Sequence, residues 1–344
     1  MPNAHAHPAP DTAARLSAAA FLAAAVAATA LTALVAVGAR SWIDRPFAGF
    51  FLRADRTIAA VGRSAWGGVA ARDLYDRTLL AIDGFRIDDA DALHRRVGAK
   101  PIGSPLTYTV TDGITVETVT VRSRRFSTTD YWAVFGAYAA GGLCWTLLAI
   151  AAAWALPRGR IGRALVVLGG IGGISMLTAA DLYPPAGSLR LHVLAAALLP
   201  AALLQFALVV GDARGRFAAV ALPVVWTAAL ASAASMQLAI GDPAATRMTH
   251  ATCDAALGLA LASATIALAA RVRPAPGMSL RAGTALLGLG APAAVFLLAG
   301  IGGGVPHNAS ATLAFLFPLG MSVALGRGAP IFAAEFVAHD PRSL

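Results

Sequence analysis

Residues 74–97 read LYDRTLLAIDGFRIDDADALHRRV. The chain around them has 344 residues, 58% hydrophobic and only 13% charged, so this polar passage marks a water-facing unit inside a greasy protein. Its pattern predicts regular structure. Thr78 to Ile82 is an apolar run of strand length, Asp83-Gly84 is a tight-turn pair, and Phe85-Arg86-Ile87 begins the return strand. Asp88 and Asp89 offer N-caps for a helix over 89–98, with Ala90, Leu93 and Val97 on one face and Gly98 near its end. After a Pro-Gly turn, 106–111 alternates, Asp112-Gly113 turns again, and 114–121 is a second β-rich run. Together they predict a small α+β domain over 42–126.

The charge distribution agrees. Between Arg40 and Asp130 lie 25 of the 45 charged residues of the chain. The remainder has long uncharged runs, and a mean hydropathy of +0.68 indicates a membrane protein. A net charge of +9 could suggest nucleic acid, but the arginines are dispersed and many end apolar runs, where membrane topology uses them. Nucleic-acid binding is therefore not expected. Cys144 and Cys253 fall inside apolar runs with no ligand spacing, which implies neither a disulfide framework nor a metal site.

Crossing about 30 Å of hydrocarbon takes roughly 20 apolar residues. Eight stretches are read as spans: 16–39, 131–156, 161–180, 191–211, 217–240, 250–270, 284–304 and 309–326. The fold class expected is a mainly α-helical membrane protein of eight transmembrane helices, one anchor plus a seven-helix bundle over 131–326. Residues 1–15 and 327–344 are short tails. The first span could be a cleaved signal, but its long apolar core favours an uncleaved anchor. Arg158, Arg160 and Arg163, then Arg214 and Arg216, then Arg271, Arg273 and Arg281 occupy alternate loops. Arginine resists translocation, so these loops and both termini are expected in the cytoplasm and the 42–126 domain in the periplasm, across a bacterial inner membrane.

The domain resembles a bacterial PDZ domain on Tyr75-Asp76, Leu79, Ile82-Asp83-Gly84 and Ile87, the helix near 89–98, and Gly103 through Val110 to Asp112-Gly113. It departs at Ala71 to Asp76, where small residues are usual, and at Thr111, where arginine is frequent. PDZ domains bind a peptide end by strand addition. Gly49, Phe50, Phe51 and Leu52 are similar to the loop that holds the peptide carboxylate, and Leu93, His94 and Val97 would line the groove. Phe50 and Phe51 equally suit a core or membrane-facing role, and His94 a solvated helix face.

The whole layout resembles the membrane sensor regions of myxobacterial-type sensor histidine kinases, on Ser41 to Pro46, Asp181-Leu-Tyr183, Arg190-Leu-His192 and Pro200 to Leu204. Such proteins continue into a cytoplasmic kinase. No phosphoacceptor helix or nucleotide-binding glycine box is present in this sequence, so output would pass to a cytoplasmic signalling partner.

No catalytic signature stands out, and no enzyme or cofactor is expected. Gly169 to Gly173 carries the small-residue spacing of close helix packing. Asp181, Tyr183, Arg190, His192, His250 and Asp254, with Cys253 and His307, all fall near one level of the membrane. Ionisable residues there need partners or water, so Asp254, about one turn into its span, is expected to face the interior. The alternatives are an Arg190 ion pair with Asp181 or Asp254, a polar pocket for a small ligand, and a histidine metal site. Two functions follow: a membrane sensor or adaptor binding a periplasmic peptide or small ligand, or a transporter-like bundle with few deep polar groups beyond Gln205 and Gln237.

Overall fold

The computed structural model describes residues 12–63, 66, 74–157, 159–179, 183, 188–211, 216–272, 279–302 and 313–326. Helix α1 (Thr12–Arg40) leads into the domain, whose first and last strands, β1 (Pro46–Phe47) and β6 (Arg124–Arg125), pair antiparallel and tie its two ends together. Between them, β2 (Thr78–Ile82), β3 (Phe85–Arg86), β4 (Pro105–Thr111) and β5 (Val116–Arg122) form an antiparallel sheet in the order β3-β2-β4-β5. The β2–β3 turn places Asp83 at φ 50° and Gly84 at φ 79°, the two positive values that a type I′ hairpin requires. Asp83 also accepts the Thr107 amide at 2.8 Å and pairs with Lys100, which draws β4 alongside.

Helix α2 (Ala90–Gly98) starts where expected: Asp89 accepts from the Ala92 amide at 2.6 Å. It buries Ala90, Leu93 and Val97 against Leu79, Ile82 and Tyr108 of the sheet. Along β4 the side chains of Leu106, Tyr108 and Val110 point in and their neighbours out, the period-2 alternation read from the sequence.

The helical part comprises α3 (Thr128–Ala155), α4 (Arg160–Ala179), α5 (Leu189–Val210), α6 (Arg216–Ala239), α7 (Pro243–Val272), α8 (Ser279–Gly302) and α9 (Leu316–Gly326). Helices α3, α4, α5, α7, α8 and α9 pack in that order and α9 returns to α3, closing a ring. Helix α6 lies outside it against α5 and α7, and α1 lies against α3 and α4. The α3–α4 contact needs its glycines: a Cβ on Gly169 would meet the Trp145 carbonyl at 2.8 Å, and one on Gly142 would meet Leu177 at 2.5 Å. Trp145, Leu168, Phe206, Leu261, Leu289 and Phe317 fill the ring's core.

Five helices, α3 to α7, are long and apolar enough to cross a membrane. Leu147, Trp154, Leu238 and Ile266 are exposed to the surroundings, a liability in water but the natural exterior of a bundle in lipid. The other expected spans are α1, α8 and α9, which are shorter as apolar helices over the described residues. Helix α9 covers Leu316–Gly326, and residues 309–312 of the expected span 309–326 lie outside the described residues.

Helix α7 also differs from its expected bounds, 250–270. Asp242 caps it, accepting from the Ala244 amide at 2.9 Å, and Pro243 takes the first helical position, so the helix begins seven residues earlier. Asp254 therefore lies about three turns into the helix rather than one.

The domain and bundle share a core. Residues Trp42, Phe47, Phe51 and Phe126 of the domain cluster with Tyr131, Phe135 and Tyr183 of the bundle. Phe51 stacks on Tyr183 with centroids 4.2 Å apart and rings 18° from parallel. Asp130, in the capping box that starts α3, also accepts from Trp66 Nε1 at 2.9 Å and Arg63 Nη1 at 2.5 Å. On the far side of the domain, Arg247 of α7 donates to Thr78 of β2 at 2.7 Å. Residues 127–130, between the expected domain and bundle, thus form a packed joint.

Candidate functional site

Alternation explains how the domain faces the bundle. Along 50–52, Phe50 and Leu52 enter the domain's own core, Phe50 edge-on to Tyr108 at 5.0 Å, while Phe51 between them turns to Tyr183. The chain then makes a tight excursion at 53–57, closed by the Arg53 amide on the Thr57 carbonyl at 2.9 Å, with Arg56 at φ 63°. Asp55 Oδ1 accepts the Thr57 amide at 3.1 Å and fixes the tip.

That tip overhangs a cavity of about 220 Å³ between the domain and the helix ring. Arg53, Asp55 and Ala59 to Val61 line it from the domain. Tyr183, His192, His250 and Asp254 line it from the bundle, with Ser175 and Thr249 beside them. Leu199, Leu203, Leu257, Leu261, Met236 and Phe296 make an apolar wall further along the helices. One end of the cavity is polar and the rest is not.

The polar end has distinct donors and acceptors. His192 Nδ1 lies 3.1 Å from the Ser175 carbonyl and 3.1 Å from Thr178 Oγ1. A carbonyl only accepts, so Nδ1 carries the proton and Nε2 keeps the lone pair. Cys253 donates to the Ala196 carbonyl at 3.5 Å and ties α7 to α5. Arg53 approaches Asp55 at 3.9 Å and Asp76 at 3.6 Å, both too long for hydrogen bonds. Arg53 Nε and Asp55 Oδ2 are buried and have no hydrogen-bond partner among the described residues.

The structure brings Tyr183, His192, His250 and Asp254 to one cavity, as a ligand pocket would require. Arg190 does not line this cavity. It is exposed and bonds Gln237, its guanidinium 3.4 Å from Oε1 while Gln237 Nε2 donates to the Arg190 carbonyl at 2.7 Å. The register of α5 explains this: Arg190 and His192 are two residues, about 200°, apart on one helix and cannot both face inward. Asp181 and His307 lie outside the described residues. Gln205, read as a deep polar candidate, accepts from Trp226 Nε1 at 2.9 Å and joins α5 to α6. No three His, Cys, Asp or Glu among the described residues come together to hold a metal ion.

Of the seven residues read as a peptide groove, Gly49, Phe50, Phe51, Leu52, Leu93 and Val97 are buried. The seventh, His94, holds its ring edge-on to Trp42 at 4.2 Å. Trp42, in the lead-in to the domain, thus packs on His94 of the helix, while Leu93 and Val97 face the domain's own core. Sequence reasoning missed Arg53 and Asp55, because an arginine and an aspartate in a loop read as solvated charges.

No protein family, no characterised protein and no solved structure matches this chain.

Burial against Trp42 pushes the His94 pKa down from 6.5 to about 4, since the charged imidazolium would lose its water. The unfolded chain takes up this proton near pH 6.5 and the folded one near pH 4, so the stability His94 contributes is complete above pH 6.5. It is lost as pH falls from 6.5 towards 4, by at most about 1.4 kcal/mol per pH unit. In denaturation of the detergent-solubilised protein across this range, His94→Leu should flatten the profile relative to wild type. Parallel profiles would show that His94 is protonated alike in both states.

Proposed function

We propose that this chain is a multi-pass membrane sensor in which the domain acts as a lid over a ligand cavity in the helix bundle. The observation that carries this reading is the cavity itself: its wall is built from both the domain tip 53–61 and the bundle helices, so an occupant touches both bodies at once. A ligand shifts an equilibrium only through contacts that differ between states. Here lifting the domain would remove the Arg53 and Asp55 side of the wall, so occupancy and domain docking are coupled. The change would pass along α3, α5 and α7 to a cytoplasmic partner, with binding rather than catalysis as the protein's task.

The element order of the domain supports a PDZ-like ancestry, with its groove closed by Trp42 and its loop residue Phe51 reassigned to the joint with the bundle. In this reading α1 and α3 to α9 make eight membrane helices. Helix starts and ends alternate, so Arg160, Arg216 and Arg271 fall at the end away from the domain, which favours a periplasmic domain in a bacterial inner membrane with both termini inside. Cysteines placed at Ser104 and Ser279 test this: the first should react with an impermeant thiol reagent on cells with a permeabilised outer membrane, and the second should not. The reverse pattern would invert the orientation.

Filling the cavity tests the receptor reading. Ala196 lines it, and Ala196→Phe should remove the thermal stabilisation that single-chain amphiphiles confer on the purified protein in amphipol. At a hundredfold excess over Kd, wild type should gain on the order of 5 °C. Val224→Phe on the exposed face of α6 should behave as wild type. If the two variants respond alike, the cavity is not the binding site.

A further inference from the structure

The turn between β4 and β5 is polar in its backbone and apolar at its tip. Ile114 is 94% exposed, the highest value of any large apolar residue described, and Val116 follows at 64%. Single exposed apolar residues are ordinary on protein surfaces, so placement decides what these two mean. Arg247 of α7 donates to Thr78 of β2, whose Cα partner on β4 is Thr111, the last residue before the turn. A Cβ on Gly113, inside the turn, would come within 3.9 Å of the same guanidinium. Two separate contacts therefore set the turn beside the start of α7.

The level of that helix end follows from its length. The apolar span Ala244–Arg271 has 28 residues, about 42 Å at 1.5 Å per residue, against a hydrocarbon core of about 30 Å. From Arg271 back to Arg247 is about 36 Å, so with Arg271 at one boundary Arg247 stands among the headgroups of the other. Apolar exterior reaches the same end of the bundle, since Met248 of α7 and Leu238 of α6 are both exposed.

A backbone entering this layer must have its own hydrogen bonds made. The turn makes them internally. Thr111 Oγ1 accepts from the Gly113 amide at 3.0 Å and donates to the Thr115 carbonyl at 2.6 Å. Asp112 accepts the Ile114 and Thr115 amides at 2.8 and 2.7 Å and the Thr115 hydroxyl at 3.0 Å. The Thr115 and Ile114 amides and the Thr115 hydroxyl hold the Asp112 pKa down at about 2, so it stays a carboxylate and belongs among headgroups. No such limit applies to Ile114 and Val116.

We propose that the β4–β5 turn is a membrane contact: Ile114 and Val116 enter the phospholipid interface beside α7, Asp112 stays among the headgroups, and the domain is held against the bilayer. This rests on the multi-pass reading above, but not on the cavity or on which side of the membrane the domain occupies. Lipid rather than a second copy is the partner, because the Arg247 contacts set the tip at the height of the headgroups that surround the bundle.

Environment-sensitive fluorophores on single cysteines of the full chain, in phosphatidylcholine nanodiscs and with Cys144→Ala and Cys253→Ala as background, test this. The labels are carried by Ile114→Cys, by Arg86→Cys on the opposite edge of the sheet, and by Leu147→Cys on the exposed face of α3. Lipids bearing a nitroxide high on the acyl chain should quench the label at position 114 several-fold more strongly than the one at 86, and aqueous cobalt ions should do the reverse. Val116→Cys should follow Ile114→Cys and serves if that variant does not accumulate. Cobalt quenching at 114 equal to that at 86 would overturn the membrane contact. Protection of 114 from both quenchers would also overturn it and would put protein, a second copy included, in the place of lipid. If nitroxide lipids fail to quench the label at 147 as well, the multi-pass reading itself fails.

Discussion

The stack of Phe51 on Tyr183 is the contact on which the arrangement depends. It joins the α+β domain to the apolar helix bundle through a cluster that includes Trp42, Phe126 and Phe135, all buried. Three consecutive residues serve two cores: Phe50 and Leu52 enter the domain's core, and Phe51 the one shared with the bundle. Aromatic pairs of this kind contribute about 0.5–1.5 kcal/mol beyond their buried area. With the domain held there, the 53–57 tip has one place to go, above the ring of helices.

The bundle's construction leaves room beneath that tip. On one side, glycines let α3 and α4 approach until backbone meets side chain. On the domain side the helices enclose His192, His250 and Asp254 around a cavity whose rear is apolar. Ionisable groups at such depth are expensive without partners or water, so their grouping at one cavity gives a place for both. The same economy explains Arg190, which reaches Gln237 at the exposed end of α5 and α6 instead of entering the interior.

Local pattern made the domain legible. Asp83-Gly84, the Asp89 cap and the 106–111 alternation each act over a few residues, and each appears where the sequence placed it. The long apolar helices and the glycine packing were readable for the same reason. The site was readable in part: hydropathy brought Tyr183, His192, His250 and Asp254 to one level, but it could not say which face of a helix each occupies. Arg190 shows the cost, since two residues of register send it outward. Helix α7 was misjudged because Asp242-Pro243 starts it before its hydropathy rises. Phe51 was singled out as a groove or core residue, but its stack on Tyr183, more than 100 positions away, was out of reach, as was the place of Arg53 and Asp55 in the cavity wall. A groove motif and a docking joint look the same until the partner surface is present.

Whether domain and bundle are one body is the claim on which the lid, the cavity and the ligand all rest. The most direct measurement is a double-mutant cycle on Phe51→Ala and Tyr183→Ala, reading the unfolding free energy of the detergent-solubilised chain. A docked joint predicts a coupling of about 0.5–1.5 kcal/mol, the double variant losing less than the sum of the single losses. Losses that add to within about 0.3 kcal/mol would mean the two rings do not interact, and the domain would not be a lid on this bundle.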